Sequence, residues 1–146
     1  MQKDKILISV IDGQGGGIGK QYIQALTSVM PHHLPVTIRA LGTNSLATNN
    51  MLKAGATDGA TGENAIVVNA RRSEIIVGIT AIVIAAYILG ELTPAMATAL
   101  GSSEATRILI PFDSCNTHIA MLSTGPLQAF IEQAVVMTMN ELQKLL

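Results

Sequence analysis

The stretch Val10-Ile11-Asp12-Gly13-Gln14-Gly15-Gly16-Gly17-Ile18-Gly19-Lys20 decides how this chain is read. Five of the seven positions from 13 to 19 are glycine. Each glycine costs roughly 0.5–1 kcal/mol of extra chain entropy on folding. Five cost on the order of 3–5 kcal/mol, against a typical total stability of ~5–15 kcal/mol. A simple strand-to-helix turn needs one or two, so the excess marks a place where a ligand approaches the backbone closely. Residues 6–11, just before the loop, are a short continuous apolar run, the pattern of a strand buried on both faces. Residues 18–30, just after it, carry Ile18, Tyr22, Leu26 and Val29 at helical spacing and stop before Pro31. In a strand–loop–helix unit of this kind the free N–H groups and positive dipole end of the helix point at the loop.

The rest of the chain repeats the alternation. Residues 36–41 predict a second strand, and 46–54 a short helix closed by Gly55. Residues 63–70 predict a helix with Thr61 as its cap, and 74–77 a strand. Residues 81–89 are read as a buried helix between Gly78 and Gly90, although Ile82, Val83 and Ile84 also suit a strand. Thr93-Pro94 is a cap followed by a first-turn proline. Residues 107–112 and 118–122 predict the last two strands, and Gly125-Pro126 opens a long helix over about 126–145. The expected fold is α/β, a Rossmann-like three-layer domain spanning 1–146 with a mostly parallel sheet of about five strands.

Composition narrows the functional classes. The chain has 146 residues, 49% of them hydrophobic and only 13% charged, with a formal charge of -1. The usual charged share is about 25%. A near-neutral balance, no tryptophan and four scattered aromatics exclude a nucleic-acid binder. The lone Cys115 excludes an intramolecular disulfide and a multi-cysteine zinc site. The uncharged run between Glu74 and Glu91 is 16 residues, shorter than the ~20 of a spanning helix, so no membrane association is expected. The N-terminus does not read as a signal peptide, because Asp12 ends the apolar run that follows Lys3 and Lys5.

Two nucleotide patterns compete in the glycine loop. Gly13, Gly17 and Gly19 match the G-x-x-x-G-x-G spacing of a dinucleotide fingerprint. Gly16 to Lys20 resemble the end of a deviant phosphate-binding loop, but that motif needs glycine and hydroxyl residues where Gln14 and Gln21 stand. The dinucleotide-like pattern is therefore preferred, with Asp12, Gly13, Gln14, Gly15, Gly16, Gly17, Ile18, Gly19 and Lys20 as the binding segment. Asp12 is a difficulty, since a carboxylate beside a pyrophosphate repels it unless it faces away, is protonated or holds a metal. A dinucleotide site also places an acid at the end of its second strand. Here that position reads Gly42-Thr43-Asn44-Ser45, with no acid. Thr43, Asn44 and Ser45 either meet a ribose or 2′-phosphate or simply cap the next helix. Residues 57–64 are read as a second small polar loop that opens a helix.

The segment Asp113-Ser114-Cys115-Asn116-Thr117-His118 follows a strand, at the edge where such sheets bind ligands. Cys115 and His118 have the chemistry of a nucleophile and base, or with Asp113 of metal ligands, yet neither set has a third partner. A polar loop lining the pocket, with Asn116 in contact with ligand, is the preferred reading, and no metal is expected.

The opening segment, together with Ala40-Leu41-Gly42-Thr43-Asn44-Ser45, residues 55–66 (GATDGATGENAI) and Leu89-Gly90-Glu91-Leu92-Thr93-Pro94, resembles a family of short bacterial proteins known as a domain of unknown function. The resemblance implies a cytoplasmic protein with a Rossmann-like fold and implies no activity. Similarity to short-chain dehydrogenases stops at glycine spacing. Their Tyr-x-x-x-Lys is absent, since Leu26 follows Tyr22 and Glu91 follows Tyr87 at that distance.

The expectation is a protein that binds a nucleotide or dinucleotide, such as NAD(P), or another small phosphate-containing ligand through residues 12–20. The alternative is a non-enzymatic, homo-oligomeric regulatory or structural module whose glycine loop is purely structural. Leu127, Ile131, Val135, Leu142 and Leu145 form one apolar stripe on the last helix, with Phe130, Met137 and Met139 beside it. That is wider than one core-facing stripe needs, which predicts a dimer or larger assembly.

Overall fold

The computed structural model describes residues 4–112, 116–120 and 125–146. Its elements are β1 (Ile6–Asp12), α1 (Gly17–Val29), β2 (Val36–Gly42), α2 (Ser45–Lys53), β3 (Asp58–Thr61), α3 (Glu63–Arg72), β4 (Ile75–Ile79), a short tight turn of helix (Thr80–Val83), α4 (Pro94–Ser102), β5 (Thr106–Ile110) and α5 (Leu127–Leu145). The strands form one sheet in the order β3-β2-β1-β4-β5, and every neighbouring pair is parallel. This is the three-layer Rossmann-like α/β architecture.

The side-chain alternation of the strands builds two cores. Ile8 and Val10 of β1, Ile38 and Ala40 of β2, Ile75 and Val77 of β4, and Ile108 and Ile110 of β5 share one face. They pack under Tyr22, Ile23 and Leu26 of α1, Met51 of α2, and Ile131, Ala134, Val135 and Leu142 of α5. Ile11, Leu41 and Ile76 point the other way, against Ile66 and Ala70 of α3 and Met96, Ala97 and Leu100 of α4. Central strands covered on both faces carry no alternation, which is why their sequence is a continuous apolar run.

One polar pair lies inside the first core. The Tyr22 hydroxyl, fully buried, sits 2.7 Å from Thr138 Oγ1, and Thr138 donates to the Ala134 carbonyl at 2.8 Å. The threonine proton is thus spent, and Tyr22 is the donor to Thr138. Burial, partly offset by Thr138, pushes the phenol well above its ordinary value, so Tyr22 stays neutral. Tyr22→Phe is expected to destabilise the fold by about 1 kcal/mol in urea denaturation, the net value of one such bond.

Three expectations need correction. The residues expected to form a buried helix at 81–89 do not. The helical turn stops at Val83, and Ala86, Ile88 and Leu89 have φ of 64°, 58° and 52°, followed by Gly90 at 86°. This left-handed backbone makes 84–92 a strap, closed by Ala86 N–H to Leu92 O (2.9 Å) and Leu92 N–H to Tyr87 O (3.1 Å). Residues 118–122 were expected as the last strand, yet His118–Ala120 lie in no strand, and 121–122 are outside the described residues. The fifth strand is β3, within the segment read as a polar loop. Thr61 is accordingly its last residue and not a helix cap; Gly62, at φ 99°, precedes α3. Elsewhere the boundaries agree within two residues, and Asn44 caps α2 by accepting from Ala47 N–H at 2.9 Å.

β3 is a short edge strand held by side chains as well as ladder bonds. Arg39, opposite Asp58 in the register, grips its carboxylate through Nε at 2.7 Å and Nη2 at 2.9 Å, and donates from Nη1 to Asn69 at 2.9 Å. The Arg39 hydrogen bond holds Asp58 below its ordinary value. Arg39, the charge nearest the end of β2, is therefore committed to the fold.

Candidate functional site

In this strand order the chain leaves β1 toward β2 on one side and enters β4 on the other. Crevices at such a reversal, beyond the carboxyl ends of the strands, are where open α/β sheets bind ligands. A cleft of about 390 Å³ lies there. Asp12 and residues 13–18 of the glycine loop, with Gln21, form one wall. Ile79 and Ala81 after β4, Phe112 after β5, and Tyr87, Ile88 and Leu89 of the strap form the rest.

The loop's glycines fall into two groups. A Cβ on Gly13 would lie 2.8 Å from Ile88 Cγ2 and from Thr43 Oγ1. Gly16 has φ +70°, and a Cβ there would lie 2.8 Å from the backbone of Ala47. A Cβ on Gly19 would meet Met51 Sδ at 2.5 Å, because α1 packs closely on its neighbour. Packing leaves no room for a side chain at these three without neighbours shifting, and at Gly16 the neighbour is backbone. Gly15 and Gly17 differ: neither has a left-handed φ, and a Cβ on either would meet nothing within 4 Å.

The loop's polar groups are held from three directions. Asp12, buried at the end of β1, accepts from Gly13 N–H at 2.8 Å and Gly19 N–H at 2.7 Å. Its carboxylate thus sits on the open N-terminus of α1. Burial pushes its pKa up, the Gly19 and Gly13 N–H groups pull it down, and Glu91 pushes it further up. From α2 and its cap, Asn50 donates to Gly15 O at 2.7 Å and Asn44 to Gln14 O at 2.9 Å. From the strap, Glu91 accepts from Gln14 N–H at 3.2 Å, from Thr43 Oγ1 at 2.9 Å and from Asn44 Nδ2. Burial raises the Glu91 pKa, but the Asn44, Thr43 and Gln14 hydrogen bonds outweigh it and hold the group below its ordinary value.

Glu91 brings a carboxylate from the strap onto Thr43 and Asn44, just beyond the end of β2. It arrives from 48 residues beyond Thr43. No spacing rule reaches it, and its one sequence signal is its place in the Leu89–Pro94 motif. Breaking its contacts should free the strap. Glu91→Ala is expected to speed proteolysis within 84–92 severalfold while lowering global stability by only about 1 kcal/mol.

The other expected residues divide. Lys20 is exposed on α1 and does not line the cleft, and Ser45 is exposed at the start of α2. Thr43 and Asn44 serve Glu91 and the α2 cap. Asn116 accepts from the Tyr87 hydroxyl at 2.9 Å, and Thr117 also bonds that hydroxyl, so this segment braces the cleft's Tyr87 wall. His118 is exposed and makes no hydrogen bond to these residues. Asp113 and Cys115 lie outside the described residues.

Residues 7–143 match the model of a family described as a domain of unknown function, DUF3842. The chain belongs to that family. No curated protein matches it. In this DUF3842 member the family match covers the glycine loop, the strap and all five strands except Ile6, the first residue of β1. Among the described residues no helix is long and apolar enough to cross a membrane.

Proposed function

We propose that this DUF3842 protein binds a small molecule of nucleotide type in the cleft between the glycine loop and the strap. One observation carries the reading: Gly15 and Gly17 border the cleft although neither packing nor backbone conformation requires glycine there. A folding-only loop would be freer to place side chains at those positions and lower the entropy cost. A ligand lying on the backbone would exclude them. The position at the sheet's reversal point, where open α/β sheets bind nucleotides, supports the same reading. The same proposal takes the protein as cytoplasmic, the location the resemblance implies.

The test is thermal unfolding of the full chain with nucleosides, nucleotides and NAD(P). A ligand at 100 times its Kd adds ~2.7 kcal/mol, which raises the midpoint by roughly 5–10 °C. Gly15→Val should keep the unliganded midpoint and abolish the shift. No shift with any compound contradicts the proposal.

The oligomeric reading has its own support. Val29 of α1 and Val136 and Met137 of α5 are each more than half exposed, and Val29 and Val136 border an apolar groove between these helices. We propose that α1 and α5 carry a homo-oligomer contact. Light scattering at high micromolar concentration should give at least a dimer, and a monomer would count against it.

A further inference from the structure

A dinucleotide would set its pyrophosphate on the glycine loop, and the residues there do not fit that group. Four of the loop's N–H groups, those of Gly13, Gln14, Gly16 and Gly19, are committed to the protein's own acceptors, while those of Gly15 and Gly17 have no acceptor among the described residues. Asp12 takes those of Gly13 and Gly19, Glu91 takes that of Gln14, and Gly13 O takes that of Gly16 at 2.9 Å. Asp12 already occupies the N-terminus of α1, the place where a phosphate gains most from the helix dipole. Both of its oxygens accept N–H bonds, the arrangement that suits a carboxylate. Among the described residues no lysine, arginine or histidine lines the cleft. A phosphate would enter beside the Asp12 carboxylate, with that of Glu91 behind Gln14, and with no cation among the lining residues to offset them. The opposite wall is apolar, formed by Ile79, Ile88, Leu89 and Phe112.

We infer that the cleft takes a nucleoside whose loop-facing end is neutral or cationic, and discriminates against phosphorylated forms. The inference rests on the nucleotide-type reading above and narrows it. The apolar wall receives the flat base, and the acidic side of the loop receives hydroxyls or a positive group. Asp12 and Glu91 are the residues that reject phosphate, Asp12 by filling the helix terminus and Glu91 by holding the adjacent Gln14 N–H.

Calorimetric titration of the full chain tests this with the common ribonucleosides, their mono- and triphosphates, NAD, and S-adenosylmethionine, whose sulfonium is cationic. The expected order places a nucleoside or S-adenosylmethionine first, with the monophosphate weaker by about tenfold or more and the triphosphate weaker still. Glu91→Gln should shrink the gap between nucleoside and triphosphate by raising affinity for the triphosphate. Raising salt should narrow the same gap, because it screens repulsion. A triphosphate or NAD that binds more tightly than any nucleoside overturns the inference and leaves the nucleotide-type reading standing. Binding by none of these compounds overturns both.

Discussion

Gly16→Ala is expected to destabilise the protein by about 3 kcal/mol or more, while Gly15→Ala changes stability by less than about 0.5 kcal/mol. The two glycines are neighbours in the same loop, so composition does not separate them. At Gly16 the backbone is left-handed and the added Cβ would lie 2.8 Å from both Cα and O of Ala47. Those atoms belong to the first turn of α2, which Asn44 caps, so backbone and not a pliable side chain must shift. Left-handed strain costs ~1–3 kcal/mol, and overpacking against fixed atoms adds ~1–3 kcal/mol. At Gly15 neither term applies. Urea denaturation of the two variants, read at constant slope, gives the comparison. Equal losses would contradict the division of the loop into structural and ligand-facing glycines.

Asp12→Ala is the second large effect, expected near 2 kcal/mol at neutral pH. It strands the Gly13 and Gly19 N–H groups at a buried helix terminus, a loss of ~1–3 kcal/mol for an orphaned polar group. Release of a buried charge offsets part of it. The pH dependence carries the signature. Burial raises the folded pKa of Asp12 above its unfolded value near 3.8. Its contribution to stability is therefore fully present below that value and is lost as pH rises through the folded pKa. The stability gap between the parent chain and Asp12→Ala should thus widen as pH falls from neutral toward 4. Glu91 has the opposite sign: its folded pKa is depressed, so its contribution holds above its unfolded value near 4.5 and fades as pH falls through the folded pKa. A gap at Asp12 that shrinks on acidification would contradict the assignment of burial as its dominant influence.

The sheet's centre was legible because burial on both faces leaves a plain signal. Ile6–Asp12 and Val36–Gly42 have apolar residues pointing to both cores, and Tyr22 and Leu26 mark the buried face of α1 at helical spacing. β3 was not legible. Asp58-Gly59-Ala60-Thr61 has no apolar run, and it is a strand because Arg39 and the edge of β2 capture it. The strap was not legible either, since a left-handed backbone at Ala86, Ile88 and Leu89 goes against the preference of each residue. It is held by contacts distant in sequence, chiefly Glu91 on Gln14, Thr43 and Asn44. The glycine loop was found from sequence, but its chemistry was not. Asp12 is a visible difficulty for phosphate in the sequence itself, whereas Glu91 reaches the loop only through the folded strap.

The most direct test of the central claim is amide chemical-shift mapping of the full chain during titration with a nucleoside that binds. The account predicts that the Gly15 and Gly17 amides move first and furthest, with Leu89 and Phe112 following, while α5 stays still. Saturable binding that leaves Gly15 and Gly17 unmoved, or shifts centred on the α1–α5 groove, would contradict it.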